Sequence, residues 1–271
     1  MGYVHGYSEY EAGRLRNSAQ ALSDVLHENV RYPAGARVLE APCGVGAQTA
    51  ILTANNPETR FVCLDISPES VRAAAATSPG LPFLAGDMFA LPFPEGAFDH
   101  VFACYVLEHL SRPGVALENL LGVLKPGGTV TSIEGDHGSC FFYPETPEAL
   151  AAWACLPQLQ AVLGGDSLIG RRLYSVLSRA GLENVRVEPI RIYCDPSLPH
   201  MMKGFVENTI VGMLRGIENE VIERDMLEPE VFRKGVEDIL SIKTHPEGAF
   251  CYTFFRAVGV KPEKFSKGAR P

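Results

Sequence analysis

Residues 36–46 contain the sequence feature that most constrains the fold. An apolar run ends in a carboxylate, Glu40, and is followed by a turn with glycines at Gly44 and Gly46. Residues 48–54 then continue as a helix-forming segment. Glycine permits positive φ and lets the backbone approach a ligand closely, and the first turn of a helix has free N–H groups. The pattern therefore predicts a strand, a tight loop and a helix start that can together hold a ligand.

A second acidic residue suggests which kind of ligand this is. The apolar run 61–64 ends in Asp65, nineteen residues after Gly46. In βαβ folds an acidic residue at this place holds ribose hydroxyls. The dinucleotide fingerprint G-x-G-x-x-G would place its third glycine where this chain has Thr49, and the charge of Glu40 would repel a diphosphate but attract a cation. S-adenosylmethionine, which is cationic and carries no phosphate, fits better than a nicotinamide dinucleotide; chance glycines in an ordinary strand–turn–helix are the third alternative.

Three further segments extend the pattern of alternating strands and helices. Residues 84–88 end a third strand, 98–105 form a fourth, and 123–130 read as a helix end, a Pro-Gly-Gly turn and a fifth strand. In order and spacing, residues 36–136 resemble the class I S-adenosylmethionine-dependent methyltransferases, in particular the small-molecule branch that includes quinone-biosynthesis enzymes. The resemblance implies an α/β fold: a Rossmann-like, seven-stranded, mostly parallel sheet with helices on both faces and a helical lid insertion.

The same resemblance implies a set of residues that contact S-adenosylmethionine. Asp65 would hold the ribose, Asp87 and Met88 the adenine, and the backbone near Gly44 and Cys104 the methionine end. The complete predicted set is Tyr7, Arg14, Glu40, Gly44, Asp65, Ile66, Asp87, Met88 and Cys104. Four of these residues have simpler interpretations: a solvated aspartate for Asp65, a helix N-cap for Asp87, plain burial for Cys104 and a solvated helix face for Arg14.

The chain outside the core pattern divides into two helical regions. We expect residues 1–35 to form an N-terminal segment that covers the cofactor, and residues 36–193 with 250–262 to form the methyltransferase core. Apolar residues recur at helical spacing within 194–249, which we interpret as a lid over the acceptor; a helix pair that only covers the core is the alternative.

His137 is the candidate catalytic residue. It follows Glu134 and Asp136 at the predicted ligand-binding end of strand five, where an imidazole can act as a general base. The alternative is that His137 orders a loop. No metal site is expected, and a catalytic thiol at Cys140 is disfavoured because no basic residue is paired with it in the sequence.

Composition bears on the partners and the compartment. The net charge is −8 over 271 residues and no basic cluster stands out, which disfavours a nucleic-acid partner and favours a small-molecule acceptor. The seven cysteines form no C-x-x-C pair, as in a reducing compartment. We expect a cytoplasmic monomer or homodimer without a membrane span; an RNA or protein methyltransferase, or a cofactor-binding protein without activity of its own, are the other functions considered.

Overall fold

The computed structural model describes residues 9–264, with side chains within the first helix described from Leu15 onward. Nine α-helices and seven strands alternate over these residues. In chain order they are α1 (Glu9–Leu26), β1 (Arg37–Glu40), α2 (Ala47–Asn55), β2 (Arg60–Asp65), α3 (Pro68–Thr77), β3 (Phe83–Ala85), β4 (Phe98–Cys104), α4 (Pro113–Val123), β5 (Leu124–Tyr143), α5 (Pro147–Val162), α6 (Ile169–Arg179), β6 (Glu183–Cys194), α7 (Pro199–Met201), α8 (Gly212–Glu223), α9 (Pro229–Ser241) and β7 (Ala249–Val260). Two 3₁₀ turns, Leu107–His109 and Ile242–Thr244, and a π-helical segment, Met202–Val211, complete the structure of this part of the chain.

All seven strands form one sheet in the order β3-β2-β1-β4-β5-β7-β6. Strands β1 to β5 pair in parallel, whereas β7 runs antiparallel to both β5 and β6. This confirms the predicted Rossmann-like, mostly parallel, seven-stranded sheet. Because parallel strands share a direction, the residues that follow β1, β2, β3 and β4 meet at one edge of the sheet.

Local sequence sets the entry into the first two helices after that edge. Gly44 and Gly46 have φ of +52° and +79°, a region that L-residues rarely adopt. A Cβ at Gly46 would lie 3.0 Å from the Cβ of Ala74, so this glycine also lets α2 approach α3. Ser67 caps α3, since its hydroxyl accepts from the N–H of Ser70 at 3.1 Å, as the sequence predicts.

Strand β5 is longer than the sequence predicts. It continues through His137 to Tyr143, after a register irregularity between Asp136 and Phe141 that restores pairing with β7. His137 therefore lies within β5, not at its end. The expectation that residues 134–137 close the strand was wrong, because antiparallel pairing to a strand more than a hundred residues away decides where β5 stops.

Residues 194–249 form the predicted helices with one departure. The apolar stripe expected as one helix is a helical stretch from Pro199 to Glu223 with a π-helical segment in its middle. The hydroxyl of Thr209 donates to the carbonyl of Gly204, five residues back, at 3.0 Å. Such π segments are rare and occur frequently at functional sites.

The alternative interpretation of Asp87 as a helix N-cap was wrong, because no helix follows it: residues 86–93 form turns and bends. Within the described residues, none of the helices is long and apolar enough to cross a membrane.

Candidate active site

Asp65 fixes the glycine loop to the sheet. One carboxylate oxygen accepts from the N–H of Gly44 at 2.8 Å and the other from the N–H of Ser67 at 2.9 Å. Burial raises the pKa of Asp65 above its usual value, and these two backbone hydrogen bonds oppose the rise. A Cβ at Gly44 would meet no described residue within 4 Å, so among these residues the loop leaves open space above its backbone.

Glu40 is a buried acid with an unused acceptor. Its side chain is fully buried, and one oxygen accepts from the Thr49 hydroxyl at 2.6 Å, with the Cys63 thiol at 3.6 Å. Within the described part of the chain, the other oxygen, Oε1, has no hydrogen-bond partner. Burial raises the pKa of Glu40 to about 8. A cation at this edge would stabilise the Glu40 carboxylate. The free acceptor oxygen therefore fits the positively charged methionine end of S-adenosylmethionine.

The predicted adenosine residues lie after β2 and β3. Ile66, directly after β2, is 61% exposed. Asp87 is half-buried and accepts from the N–H of Phe89 at 2.8 Å. Met88 is buried and packs in the apolar cluster of β1, β4 and α4. An exposed isoleucine and a half-buried acid at the ligand edge leave surface for a purine.

Strand β4 ends in a strained turn. Cys104 is buried, and burial raises the pKa of its thiol well above the usual value. Tyr105 follows with φ of +54°, an outlier conformation for a non-glycine residue that is frequent at functional sites. The carboxylate of Glu134 accepts from the N–H groups of Val106 at 3.2 Å and Leu107 at 2.9 Å, which holds this turn in place.

A cavity of about 60 Å³ lies next to this turn. Its walls come from α1, the 3₁₀ turn after β4, β5, α5, the π-helical segment, α8 and β7. The lining residues are Leu15, Ser18, Tyr105, Glu108, His109, Gly135, His137, Leu156, Gln160, Phe205, Thr209, Ile210, Met213, Tyr252 and Phe254.

His137 lies in the wall of this cavity within a hydrogen-bonded network. Its Nδ1 is 2.7 Å from the Tyr252 hydroxyl, and its Nε2 is 3.5 Å from the Glu108 carboxylate. The indole N–H of Trp153 donates to the His137 carbonyl at 3.2 Å. Burial lowers the pKa of His137 below its usual value, although Glu108 opposes this, so the imidazole is neutral at neutral pH.

Sequence reasoning missed Glu108, Gln160 and Tyr252. Glu108 and Gln160 are 6% and 2% exposed, and Tyr252 is 1% exposed. A Cβ at Gly135 would lie 2.3 Å from the Tyr252 oxygen, so this contact requires a glycine opposite the tyrosine. The signal available in the sequence was weak: three polar residues in otherwise apolar stretches, far apart along the chain.

Two predicted cofactor residues cannot be placed. Tyr7 lies outside the described residues, and Arg14 belongs to α1 but its side chain is outside the described part.

The chain has a Rossmann-like sheet, a glycine loop between two acids and an enclosed cavity beside them. This combination is typical of enzymes that bind a nucleoside-containing cofactor at the carboxyl edge of the sheet. Comparison with known proteins specifies the class. Residues 39–131 match the family described as methyltransferase domain. Trans-aconitate 2-methyltransferase of Methylobacterium radiotolerans is 27% identical over 74% of this chain and 84% of its own length. Demethylmenaquinone methyltransferase of Renibacterium salmoninarum is 33% identical over 38% of this chain and 43% of its own length.

Solved structures share the fold. The [4+2]-cyclase SpnF superposes with a TM-score of 0.56 at 21% identity, covering 90% of this chain and 81% of that one. Phosphoethanolamine N-methyltransferase 2 of Haemonchus contortus, in complex with S-adenosyl-L-methionine, has a TM-score of 0.55 at 14% identity, covering 90% and 52%. The chain therefore has a methyltransferase domain at residues 39–131 and is an S-adenosylmethionine-dependent methyltransferase.

Proposed function

We propose that this enzyme transfers the methyl group of S-adenosylmethionine to a small molecule held in the cavity beside Tyr105. The cavity carries the proposal because it is enclosed and mostly apolar, yet contains the buried polar groups of Glu108, His137 and Tyr252. With a volume of about 60 Å³, the cavity would hold the reactive end of an acceptor, and the rest of a larger acceptor would extend beyond it. The trans-aconitate and demethylmenaquinone enzymes are named for small-molecule acceptors, which is consistent with this proposal.

The cofactor is proposed to lie along the carboxyl edge of β1 to β4. Asp65 would accept from the ribose hydroxyls with lone pairs not used by Gly44 and Ser67, and Ile66, Asp87 and Met88 would surround the adenine. Glu40, the Gly44 loop, Cys104, Tyr7 and Arg14 would surround the methionine end. S-adenosylmethionine supplies an electrophilic methyl group when bound; the chain's residues orient it and exclude water.

His137 is proposed as the general base for the acceptor. A neutral, buried imidazole can take a proton, and the Glu108 carboxylate 3.5 Å from Nε2 would stabilise the resulting cation. The bond to Tyr252 and the backbone bond from the His137 N–H to Ser167, at 3.0 Å, hold the ring in place. His137 therefore combines the positioning and the chemical roles that the sequence left as alternatives.

The helical regions are proposed to close the acceptor site. Residues 194–249, the proposed lid, supply Phe205, Thr209, Ile210 and Met213 to the cavity. Residues 1–35, the proposed covering segment, supply Leu15 and Ser18 from α1, which packs against the π-helical segment. The core is then 36–193 with 250–262.

The proposed setting is the cytoplasm, with no nucleic-acid partner and a monomeric or homodimeric state. All seven cysteines lie within the described residues and are free thiols, as in reducing compartments. The charge of −8 gives a polyanion little attraction.

His137→Asn tests the proposed base. If His137 takes the acceptor's proton, turnover falls by about 10²- to 10⁴-fold, because Asn can hydrogen-bond but cannot accept a proton at neutral pH. Labelled S-adenosylmethionine and a metabolite mixture give the activity, and calorimetry should show unchanged cofactor affinity. His200→Asn, at an exposed histidine, is the matched control.

Two outcomes would contradict the proposals. Retention of more than about half the activity in His137→Asn would leave His137 a positioning role only, with methylation driven by proximity. Efficient methylation of RNA or protein, with rates that fall steeply as salt rises, would replace the small-molecule acceptor with a macromolecule.

A further inference from the structure

Gln160 presents an unused hydrogen-bond acceptor in the wall of the proposed acceptor cavity. It lies near the end of α5 and is 2% exposed. Its Nε2 donates to the backbone carbonyl of Glu108 at 3.3 Å and to the Glu108 carboxylate at 3.2 Å. Its Oε1 has no hydrogen-bond partner among the residues that the structure describes. A buried amide oxygen without a partner is unfavourable unless something else supplies the donor.

The neighbouring backbone fixes the orientation of this amide. Nε2 faces the backbone carbonyl oxygen and one carboxylate oxygen of Glu108, and both of these atoms are acceptors. The NH₂ group of Gln160 must therefore point toward Glu108 and its side-chain carbonyl oxygen away from it. At the end of α5, Gly165 donates its N–H to the backbone carbonyl of Gln160 at 2.8 Å. A Cβ at Gly165 would lie 2.4 Å from the Glu108 carbonyl oxygen, so glycine is needed for α5 to end this close to the turn.

The Glu108 carboxylate adds a second acceptor to the same wall. It lies 3.5 Å from His137 and 3.6 Å from His109, and the residue is 6% exposed. The remaining walls include the apolar side chains of Leu156, Phe205 and Phe254. The Gln160 amide and the Glu108 carboxylate, whose nearest atoms are 3.2 Å apart, are therefore neighbouring polar groups in the cavity wall, and the apolar side chains supply the rest.

We propose that Gln160 and Glu108 bind an amino group on a small acceptor with an apolar body. An amino group has two or three N–H donors and can satisfy both oxygens, whereas a hydroxyl has one donor. This inference rests on the proposed small-molecule function. It concerns how the acceptor is bound and does not assign the atom that receives the methyl group. Gln160 is a specificity-determining residue in this assignment.

Three probes of one carbon skeleton test the assignment. Benzylamine, benzyl alcohol and toluene are titrated into the full-length protein saturated with S-adenosylhomocysteine, and binding is measured by calorimetry and thermal shift. We expect benzylamine to bind at least about tenfold more tightly than toluene, with benzyl alcohol between them, since one hydrogen bond to a charged group is worth about that factor.

Variants of Gln160 assign the preference to this residue. Gln160→Leu should reduce the advantage of benzylamine over toluene to about threefold or less, and Gln160→Glu should increase it. Gln158→Leu, the same change at an exposed position of α5, should leave it unchanged. If Gln160→Leu folds poorly, Gln160→Met replaces it, and the wild-type ratio stands as a test by itself.

Three results would overturn the assignment: similar affinities for the three probes, a benzylamine preference that survives in Gln160→Leu, or no benzylamine binding to the folded, S-adenosylhomocysteine-loaded protein. Failure of the proposed function is a different result. It would appear as absence of S-adenosylhomocysteine binding, or as methylation restricted to macromolecules.

Discussion

At the scale of single residues, the contact between Glu40 and Thr49 joins two sequence features that the proposed cofactor site uses. The sequence indicates the two residues separately, one as an acid before the loop and the other as a break in the dinucleotide fingerprint. In the structure the Thr49 hydroxyl donates to Glu40 at 2.6 Å, and both side chains are fully buried. A glycine at position 49 would leave this acid with one donor fewer. The residue that excludes a dinucleotide motif thus supports the acid that favours a cation.

The titration of Glu40 should make stability depend on pH. Its pKa rises from 4.5 to about 8 in the folded protein, so between these values the folded chain holds a proton that the unfolded chain has released. Stability therefore falls as pH rises toward 8. We expect the melting temperature of the ligand-free protein to decrease from pH 6.5 to pH 8.

Glu40→Gln provides the control for this prediction, because it removes the titration and should flatten the profile. Burial also raises the pKa of Glu134, so part of the decrease in melting temperature with pH should remain in Glu40→Gln. S-adenosylmethionine should stabilise the protein more at pH 8 than at pH 6.5, since its charge favours the ionised Glu40. A melting temperature that rises over this range would contradict the assignment.

Substitution of Asp65 should have two effects, one on cofactor binding and one on stability, and two measurements separate them. Asp65→Ala removes the acceptor proposed for the ribose and should weaken S-adenosylmethionine binding by about ten- to a hundredfold. It also frees the N–H groups of Gly44 and Ser67, so the ligand-free protein should melt at a lower temperature. Calorimetry and thermal melts measure the two effects, with the exposed Glu69→Ala as control. Unchanged affinity would refute the ribose assignment.

At the scale of helices and strands, local patterns predicted most elements and long-range contacts decided the rest. Ser67 before Pro68 predicts the start of α3. The apolar alternation at 185–193 and the aromatic- and valine-rich run at 250–260 predict β6 and β7, because capping and periodicity are local. The length of β5 depends on pairing with β7. The π-helical segment packs closely against α1, since a Cβ at Gly204 would lie 2.5 Å from the Cβ of Ala21. Neither partner is visible from the segment itself.

Gly204→Ala should therefore destabilise the contact between α1 and the π-helical segment. We expect a loss of about 1–3 kcal/mol in the free energy of unfolding, as for other overpacked sites, measured by urea denaturation. The double variant Ala21→Gly with Gly204→Ala should recover part of the loss. Gly114→Ala, in the first turn of α4 with nothing within 4 Å of the new Cβ, is the control. A neutral Gly204→Ala would mean that the two helices separate easily.

At the scale of the whole molecule, the cofactor edge and the acceptor cavity differ in how far the sequence predicts them. The proposed cofactor edge is built from residues at or after the ends of consecutive strands, so Glu40, Asp65 and Asp87 could be proposed from the strand pattern. The cavity joins residues from Leu15 to Phe254, which only the folded chain brings together. The sequence could indicate an apolar helical region there but not which of its side chains face the acceptor.

Two methionines of the proposed lid, Met202 and Met213, should behave differently for this reason. Met213 lines the cavity. Met202 is 2% exposed, packs in the main apolar core and is not among the residues that line the cavity. Met213→Ala should change the Michaelis constant for the acceptor and leave cofactor affinity and stability nearly unchanged. Met202→Ala should instead cost about 2–5 kcal/mol in the free energy of unfolding, with little change in the Michaelis constant. Steady-state kinetics and urea denaturation of both variants measure the contrast. If the two substitutions affect acceptor kinetics equally, then residues 194–249 act as a single packed layer and the cavity is not where the acceptor binds.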